Sequence, residues 1–359
     1  MAEALPEVVL RTAGQSHAGW KAMRIEQSMD AICGAFDLTV SEMWPGQPAP
    51  RKVEPGQACE VLVDGEVVIT GYVDTVQVEH DARRHEVRIG GRDRAGDLVD
   101  CSAVWKTGQW KGRTILQIAQ DLCAPFGIVV RADVDVGKPL PSFALVQGET
   151  VFDALERAAR IRALLLVSDG KGGLVLTRAG YARTSTALVL GENILAARGA
   201  VSFRDRFSDY IAKGQAAGND YFNSRPAAQI VATASDPAVP RYRPLLVLGE
   251  QQDAAVGLRQ RVQWEANVRA ARSVEVDVTV QGWRHAGGLW RPNTLVAVRD
   301  KMLGLDHELL VVSVAMELNE RGTLATLSLT RADAFALLPV ANTTPAGDKP
   351  YFTLPKVKP

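Results

Sequence analysis

Apolar and polar residues alternate along most of this chain, and the alternation breaks at turn-forming residues. Between Pro55 and Cys101 three alternating runs follow one another, punctuated by Asp64-Gly65 and by Gly71. Asp-Gly between alternating runs predicts a tight hairpin, because both central residues of that turn take positive φ. Strands are predicted over residues 8–12, 22–29, 35–42, 59–63, 67–70, 72–79 and 86–90, with a Pro-rich loop at 44–50. Gly90-Gly91-Arg92-Asp93 then turns the chain into a short helix start at Leu98-Val99-Asp100.

The period changes after residue 100. Ile115, Ile118, Ala119 and Leu122 fall at i, i+3, i+4 and i+7, which predicts a helix over 114–122, closed by Pro125 and Gly127. A second helix runs through Val151, Ala154, Leu155 and Ala158 and ends near Arg162. Residues 164–167 and 174–177 flank Asp169-Gly170-Lys171-Gly172-Gly173 as a hairpin.

From about residue 186 the alternation returns. Strands are predicted over 208–214, 273–283, 295–298, 308–314 and 323–330, with Val274, Val276, Val278 and Val280 on one face. Residues 221–240 are polar and read as a surface loop. Residues 252–272 read as one long helix, with Val256, Leu258, Val262, Ala266 and Ala270 among its apolar positions. The tail from Pro339 to Pro359 holds five prolines and Lys349, Lys356 and Lys358, too few apolar residues to fold alone. The expected fold is α+β and mainly β. A first antiparallel β-barrel (1–100) and a second (186–335) flank a small α/β domain (101–185), and an extended, flexible Pro/Lys-rich tail (336–359) follows.

Composition narrows the function. The hydrophobic fraction of 47% can bury sizeable cores. Lys plus Arg and Asp plus Glu are both 41, so formal net charge is zero, which argues against a dedicated nucleic-acid binder. Cys33, Cys59, Cys101 and Cys123 form no C-x-x-C pair and read as small buried apolar residues in a reducing cytoplasm. No window approaches a membrane span, and no secretory leader is expected from the N-terminal residues.

Catalytic signatures are missing from the sequence. Gly170-Lys171-Gly172-Gly173 has the composition of a phosphate loop but reads as a hairpin tip. His17, His80, His85, His285 and His307 have no H-E-x-x-H spacing, and no G-x-S-x-G elbow occurs. No catalytic residue, cofactor or metal site is expected. Asp93 is a candidate cap for the helix through Leu98, and Arg92 or Arg94 a candidate partner across a subunit boundary. Arg259, Arg261, Arg269 and Arg272 read as a solvated or inter-subunit face, with Trp264 among them as a cation–π acceptor.

Two stretches carry a family resemblance. The first is the hairpin at Asp64 and Gly65, the strand with Gly71, and Gly91, Arg92, Asp93, Leu98 and Asp100. The second runs through Gln281-Gly282-Trp283-Arg284, Gly288-Leu289-Trp290-Arg291-Pro292-Asn293 and Leu303-Gly304-Leu305. In order and spacing they resemble the two barrels of the contractile-tail baseplate hub family, which includes the Mu-like tail proteins and the late control protein D group and shares its fold with the T4 hub. The resemblance spans roughly residues 5–335.

It implies a structural virion protein of the tail baseplate, made in the host cytoplasm. It further implies a homotrimeric ring of six barrels, which joins the six-fold tail tube or a distal tail protein to the three-fold central spike. Other baseplate proteins would contact the ring, and DNA would pass its central channel without sequence-specific binding. Tyr351, Phe352, Pro355 and Lys356 in the tail are candidate spike contacts. The rival readings are a hub-like part of a related secretion apparatus and a carbohydrate-active enzyme.

Overall fold

The computed structural model describes residues 6–41, 53–81, 85–180, 182–214, 230–248 and 255–337. The first β set comprises β1 (Val8–Thr12), β2 (Gln15–His17), β3 (Ala22–Ser28), β4 (Ala35–Ser41), β5 (Ala58–Val63), β6 (Glu66–His80) and β7 (His85–Asp93). Its strands bury alternate residues, as in β3, where Met23, Ile25 and Gln27 point inward. The β5–β6 turn is as predicted: Asp64 and Gly65 both have positive φ, 50° and 80°. The runs on either side of Gly71 form one strand, not two.

A short helix, α1 (Gly96–Asp100), leads into the α/β part. This contains β8 (Gln109–Arg113), α2 (Ile115–Cys123), β9 (Val129–Ala132), β10 (Leu140–Ala144), α3 (Val151–Arg160), β11 (Leu165–Ser168) and β12 (Gly173–Thr177). Both longer helices begin with capping boxes, Thr114 with Gln117 and Thr150 with Asp153, in which each side chain satisfies the other's backbone N–H. Ile118, Ala119, Leu122, Ala154, Leu155 and Ala158 form the centre of a core of their own.

The second β set follows. After β13 (Ala182–Arg183), β14 (Leu188–Val189) and β15 (Ile194–Val201) come β16 (Asp209–Gly214), β17 (Ile230–Ser235), β18 (Pro244–Leu248) and α4 (Ala255–Arg272). Then come β19 (Val274–Gln281), β20 (Arg284–His285), β21 (Gly288–Leu289), β22 (Thr294–Asp300), β23 (Leu305–Asn319) and β24 (Gly322–Thr330). A 3-10 turn, Ala332–Phe335, ends the described chain.

The chain is mainly β, as expected, but its two β sets are not separate sheets. They join in one 14-stranded sheet with the order β15-β19-β24-β23-β3-β4-β7-β6-β5-β1-β2, and β22, paired to β23, carries β13 and β14. The link is β23 on β3, antiparallel, with Val314 opposite Gln27 and Met316 opposite Ile25. A single apolar core runs beneath both sets, from Leu10 and Ile69 to Val278 and Leu327. Among the described residues the strand path stays open, because neither β15 nor β2 pairs on its outer side.

The span expected to be a surface loop, 221–240, contains β17, whose Tyr210↔Ala234 and Ala212↔Ala232 pairings with β16 override its polar composition; residues 221–229 lie outside the described set. With β18 and α4 these strands make a separate layer inside the second set, where Tyr210, Ala212, Leu258 and Val262 form a third core. The second set is therefore more than one barrel. The Pro-rich loop at 44–50 and the tail beyond residue 337 also lie outside the described residues, including Tyr351, Phe352, Pro355 and Lys356.

The two sets repeat one plan. In each, a first strand, β3 or β15, is followed across the sheet by β4, β7, β6, β5 or by β19, β24, β23, β22. The long strands β6 and β23 both have 15 residues. The register agrees in the central rows. Ile25, Phe36, Gly91 and Val73 lie in one row across β3, β4, β7 and β6, and Gly199, Val276, Leu329 and Val311 in the matching row across β15, β19, β24 and β23. The next row is Arg24, Asp37, Gly90, Thr75 in one set and Arg198, Asp277, Ser328, Ser313 in the other. Both long strands carry a β-bulge at this point, between Val73 and Thr75 and between Val311 and Ser313.

Candidate assembly surfaces

Among the described residues no group of three or more His, Cys, Asp or Glu side chains could hold a metal ion. The residues singled out in the sequence serve the frame instead, and what remains for function is the outer surface.

Gly71 and Gly91 are where two strands cross too closely for a side chain. A Cβ on Gly71 would sit 1.9 Å from the Arg92 carbonyl oxygen, and one on Gly91 2.2 Å from that of Tyr72. Arg92 donates to Asp74 and Asp100 of its own chain, each at 2.7 Å. The hydrogen bond and charge of Arg92 hold the Asp100 carboxyl below its ordinary range. Arg94 donates to the Gly127 carbonyl at 3.1 Å.

Asp93 is not the cap expected of it: the N-cap of α1 is Ala95, with no side-chain cap hydrogen bond. The Asp93 Oδ1 accepts from the Ala95 N–H at 2.9 Å, in the turn entering α1. Its Oδ2 accepts from the Gly34 N–H at 2.8 Å and the Ser168 hydroxyl at 2.7 Å. One carboxylate therefore ties β7, the β3–β4 turn and β11, which fixes the α/β part against the first β set. Burial pushes its pKa up to about 6, outweighing the hydrogen bonds that favour the charged form.

The second stretch is equally structural. Trp283 is fully buried, and its Nε1 donates to the carbonyls of Glu317 at 3.1 Å and Leu324 at 3.0 Å. Gly288 and Gly304 have φ of 132° and 67°. After Trp290 and Pro292, Asn293 takes φ 59°, accepts from Gly180 N–H at 2.7 Å and donates to the Arg178 carbonyl at 3.0 Å. Arg284 and Arg291 reach Glu66 of the first set at 3.2 and 2.8 Å. Burial raises the Glu66 pKa, but these two arginines outweigh it and leave the carboxyl below its ordinary range.

On α4, Arg261 and Arg269 pair with Glu265, and the Arg261 guanidinium lies 5.3 Å from the Trp264 ring centre. Glu265 is the only acidic residue in the α4 sequence, against four arginines, so the helix keeps a net positive charge. Cys101 is exposed, unlike the buried thiol expected there, because it sits on the outer side of the α1 exit.

Two open strand edges of the large sheet stand out among the described residues. β15 is exposed along nearly its whole length, including Leu195 and Val201. The outer half of β6, from Asp74 to His80, is mostly exposed, and there only β7 flanks it among the described strands. Open edges with exposed apolar side chains are sites for pairing with another chain. Sequence reasoning missed both, because neither stands out from the alternation around it.

Comparison with known proteins matches this frame. The chain is 37% identical over 343 residues to the baseplate hub protein gp44 of Escherichia phage Mu, covering 93% of this chain and 89% of that protein. It belongs to the Mu-type baseplate hub family. Family models match along it in order: Mu phage baseplate assembly protein GpP-like, N-terminal, at 7–93; baseplate hub protein gp44-like, second domain, at 95–178; and Mu phage baseplate assembly protein GpP, fourth domain, at 254–338. The 43 kDa tail protein of prophage MuSo2 from Shewanella oneidensis superposes with a TM-score of 0.84 at 38% identity, covering 92% of this chain and all of that one. The tail protein from Neisseria meningitidis MC58 gives 0.78 at 25%, covering 93% and 100%. The hub is thus a component of the virion tail, and no catalytic family is indicated by its relatives.

Proposed function

We propose that three copies of this hub form a closed ring in which the two β sets of each chain act as two tube-like units, six in all. The observation that carries this is the internal repeat, matched over five strands of each set and in the rows beside the two β-bulges. Closed cyclic assemblies need matching surfaces at each contact. A chain that holds two equivalent units presents three-fold symmetry to a central spike and near-six-fold symmetry to a tail tube. The ring joins the two and leaves a channel for DNA during ejection. A strongly basic lining would retard passage, since phosphate contacts add affinity, and zero net charge suits a protein that DNA must slide past.

The mass of the purified chain by light scattering tests this. Three times 38.8 kDa is expected. A monomer that stays monomeric at high concentration and with its spike protein present would overturn it. The tail containing Tyr351, Phe352, Pro355 and Lys356 is assigned to holding the spike or another baseplate protein. Deleting residues 339–359 should then abolish spike co-purification, and undiminished co-purification would reject that role.

A further inference from the structure

Within the chain the two β sets meet at a seam, the pairing of β23 with β3. By the matched rows, β6 is the counterpart of β23 and β15 is the counterpart of β3. Yet β6 and β15 do not pair with each other in the chain. One occupied seam therefore implies a second, unoccupied one, with one half at each end of the repeat.

The unoccupied halves carry the marks of missing partners. Where β3 covers β23, Val314, Ala315 and Met316 are buried. Their counterparts on β6 are Val76, Gln77 and Val78, and Val78 is 61% exposed. On β3, Met23, Ile25 and Gln27 are buried, whereas their counterparts on β15, Ala197, Gly199 and Val201, are all exposed, Val201 at 67%. Charge repeats too. Arg24 pairs with Glu317 directly across the occupied seam. The residue at the place of Arg24 on β15 is Arg198, and the residue at the place of Glu317 on β6 is Glu79. Among the described residues Arg198 makes no ion pair, and both side chains are exposed.

We propose that β15 of one copy pairs antiparallel with the outer half of β6 in a second copy, in the register that β3 and β23 use within the chain. Val201 then lies opposite Val76, Ala200 opposite Gln77, Gly199 opposite Val78, and Arg198 opposite Glu79 of the neighbouring copy. Backbone hydrogen bonds give the contact its strength, and the Arg198–Glu79 pair selects register by penalising a slipped one. Repeated three times, this continues the sheet around the ring. The inference rests on the trimer proposed above and supplies its contact.

Two sets of variants test it on the full chain. Residues directly opposite in an antiparallel pair have Cα atoms about 4.5–5.5 Å apart, within disulfide reach. Ala200→Cys with Gln77→Cys, in a Cys101→Ser background, should under mild oxidation give a covalent species of three chains on a non-reducing gel. Either new cysteine alone should give no such species. Arg198→Glu and Glu79→Arg should each raise the concentration needed for the trimer by about tenfold or more, with like charges facing each other. The double variant Arg198→Glu/Glu79→Arg should restore it. Unchanged thermal melting of the monomeric fold separates these effects from misfolding. A wild-type trimer whose cysteine pair does not link, and whose charge reversals change nothing, overturns this strand assignment and leaves the trimer standing. A chain that is neither linked nor trimeric at any concentration overturns both.

Discussion

Arg24 on β3 and Glu317 on β23 form an ion pair across the seam where the two β sets of one chain become a single sheet. Both side chains are partly solvated, and partly solvated pairs hold little energy. Met316, beside Glu317 in the same strand, is fully buried in the shared core.

Packing rather than charge should therefore hold the seam. Glu317→Ala should lower the unfolding free energy by less than about 1 kcal/mol, the range of exposed pairs. Met316→Ala should lower it by about 2–5 kcal/mol, because it leaves a cavity between the two sets. Urea denaturation of both variants decides the matter, and equal losses would mean the ion pair carries the seam.

Asp93 should make stability pH-dependent. Its pKa is raised from 3.8 to about 6 in the folded state, chiefly by burial. The folded chain thus holds this proton over a range where the unfolded chain has lost it. The contribution of the group is fully present below the unfolded value and is lost as pH rises through about 6. A shift of this size corresponds to roughly 3 kcal/mol. Relative to Asp93→Asn, which cannot titrate, the wild type should lose most of that stability between pH 4 and pH 7. A pH-independent difference between the two in chemical melts would remove this account.

The glycines separate two kinds of constraint. Gly71 has no room: a Cβ there meets the Arg92 backbone at 1.9 Å. Gly65 has open space but a φ of 80°. Gly71→Ala should prevent folding or cost more than about 4 kcal/mol, among the largest single-site losses. Gly65→Ala should cost about 1–2 kcal/mol, the left-handed penalty alone. Soluble yield and melting temperature distinguish the two, and a well-folded Gly71→Ala would show that the β6–β7 crossing can open.

These contrasts also indicate what the chain's pattern made legible. The Asp64-Gly65 turn, both capping-box helices and the alternation of β19 are local, and each could be read from residues a few positions apart. The β23–β3 seam joins residues nearly the whole chain apart, so no local pattern encodes it, and two separate barrels were the natural expectation. β15, Leu195-Ala196-Ala197-Arg198-Gly199-Ala200-Val201, shows little alternation because neither of its faces is buried within one chain. Asp93 was visible as a turn residue, but its burial depends on Ser168 and Gly34 arriving from distant segments. The family motifs are structural, so they disclosed the frame before the surfaces that act.

The thiols offer a reading of how that frame opens. Cys59 lies on β5 in the sheet core, and Cys123 ends α2 in the α/β core. Burial pushes each pKa up to about 12, so neither supplies thiolate while folded. Burial also raises Cys33, to a lesser depth, and Cys101 is exposed. With iodoacetamide at pH 8, Cys101 should react at once and Cys33 slowly. Cys59 and Cys123 should react only through opening of their own cores. Because the two cores are distinct, their labelling rates should differ, as expected of units that open independently. Peptide mapping of a time course gives both rates. If they coincide over a range of urea concentrations, the two cores open as one unit, and the Asp93 tie between them is then strong enough to make the chain a single cooperative body.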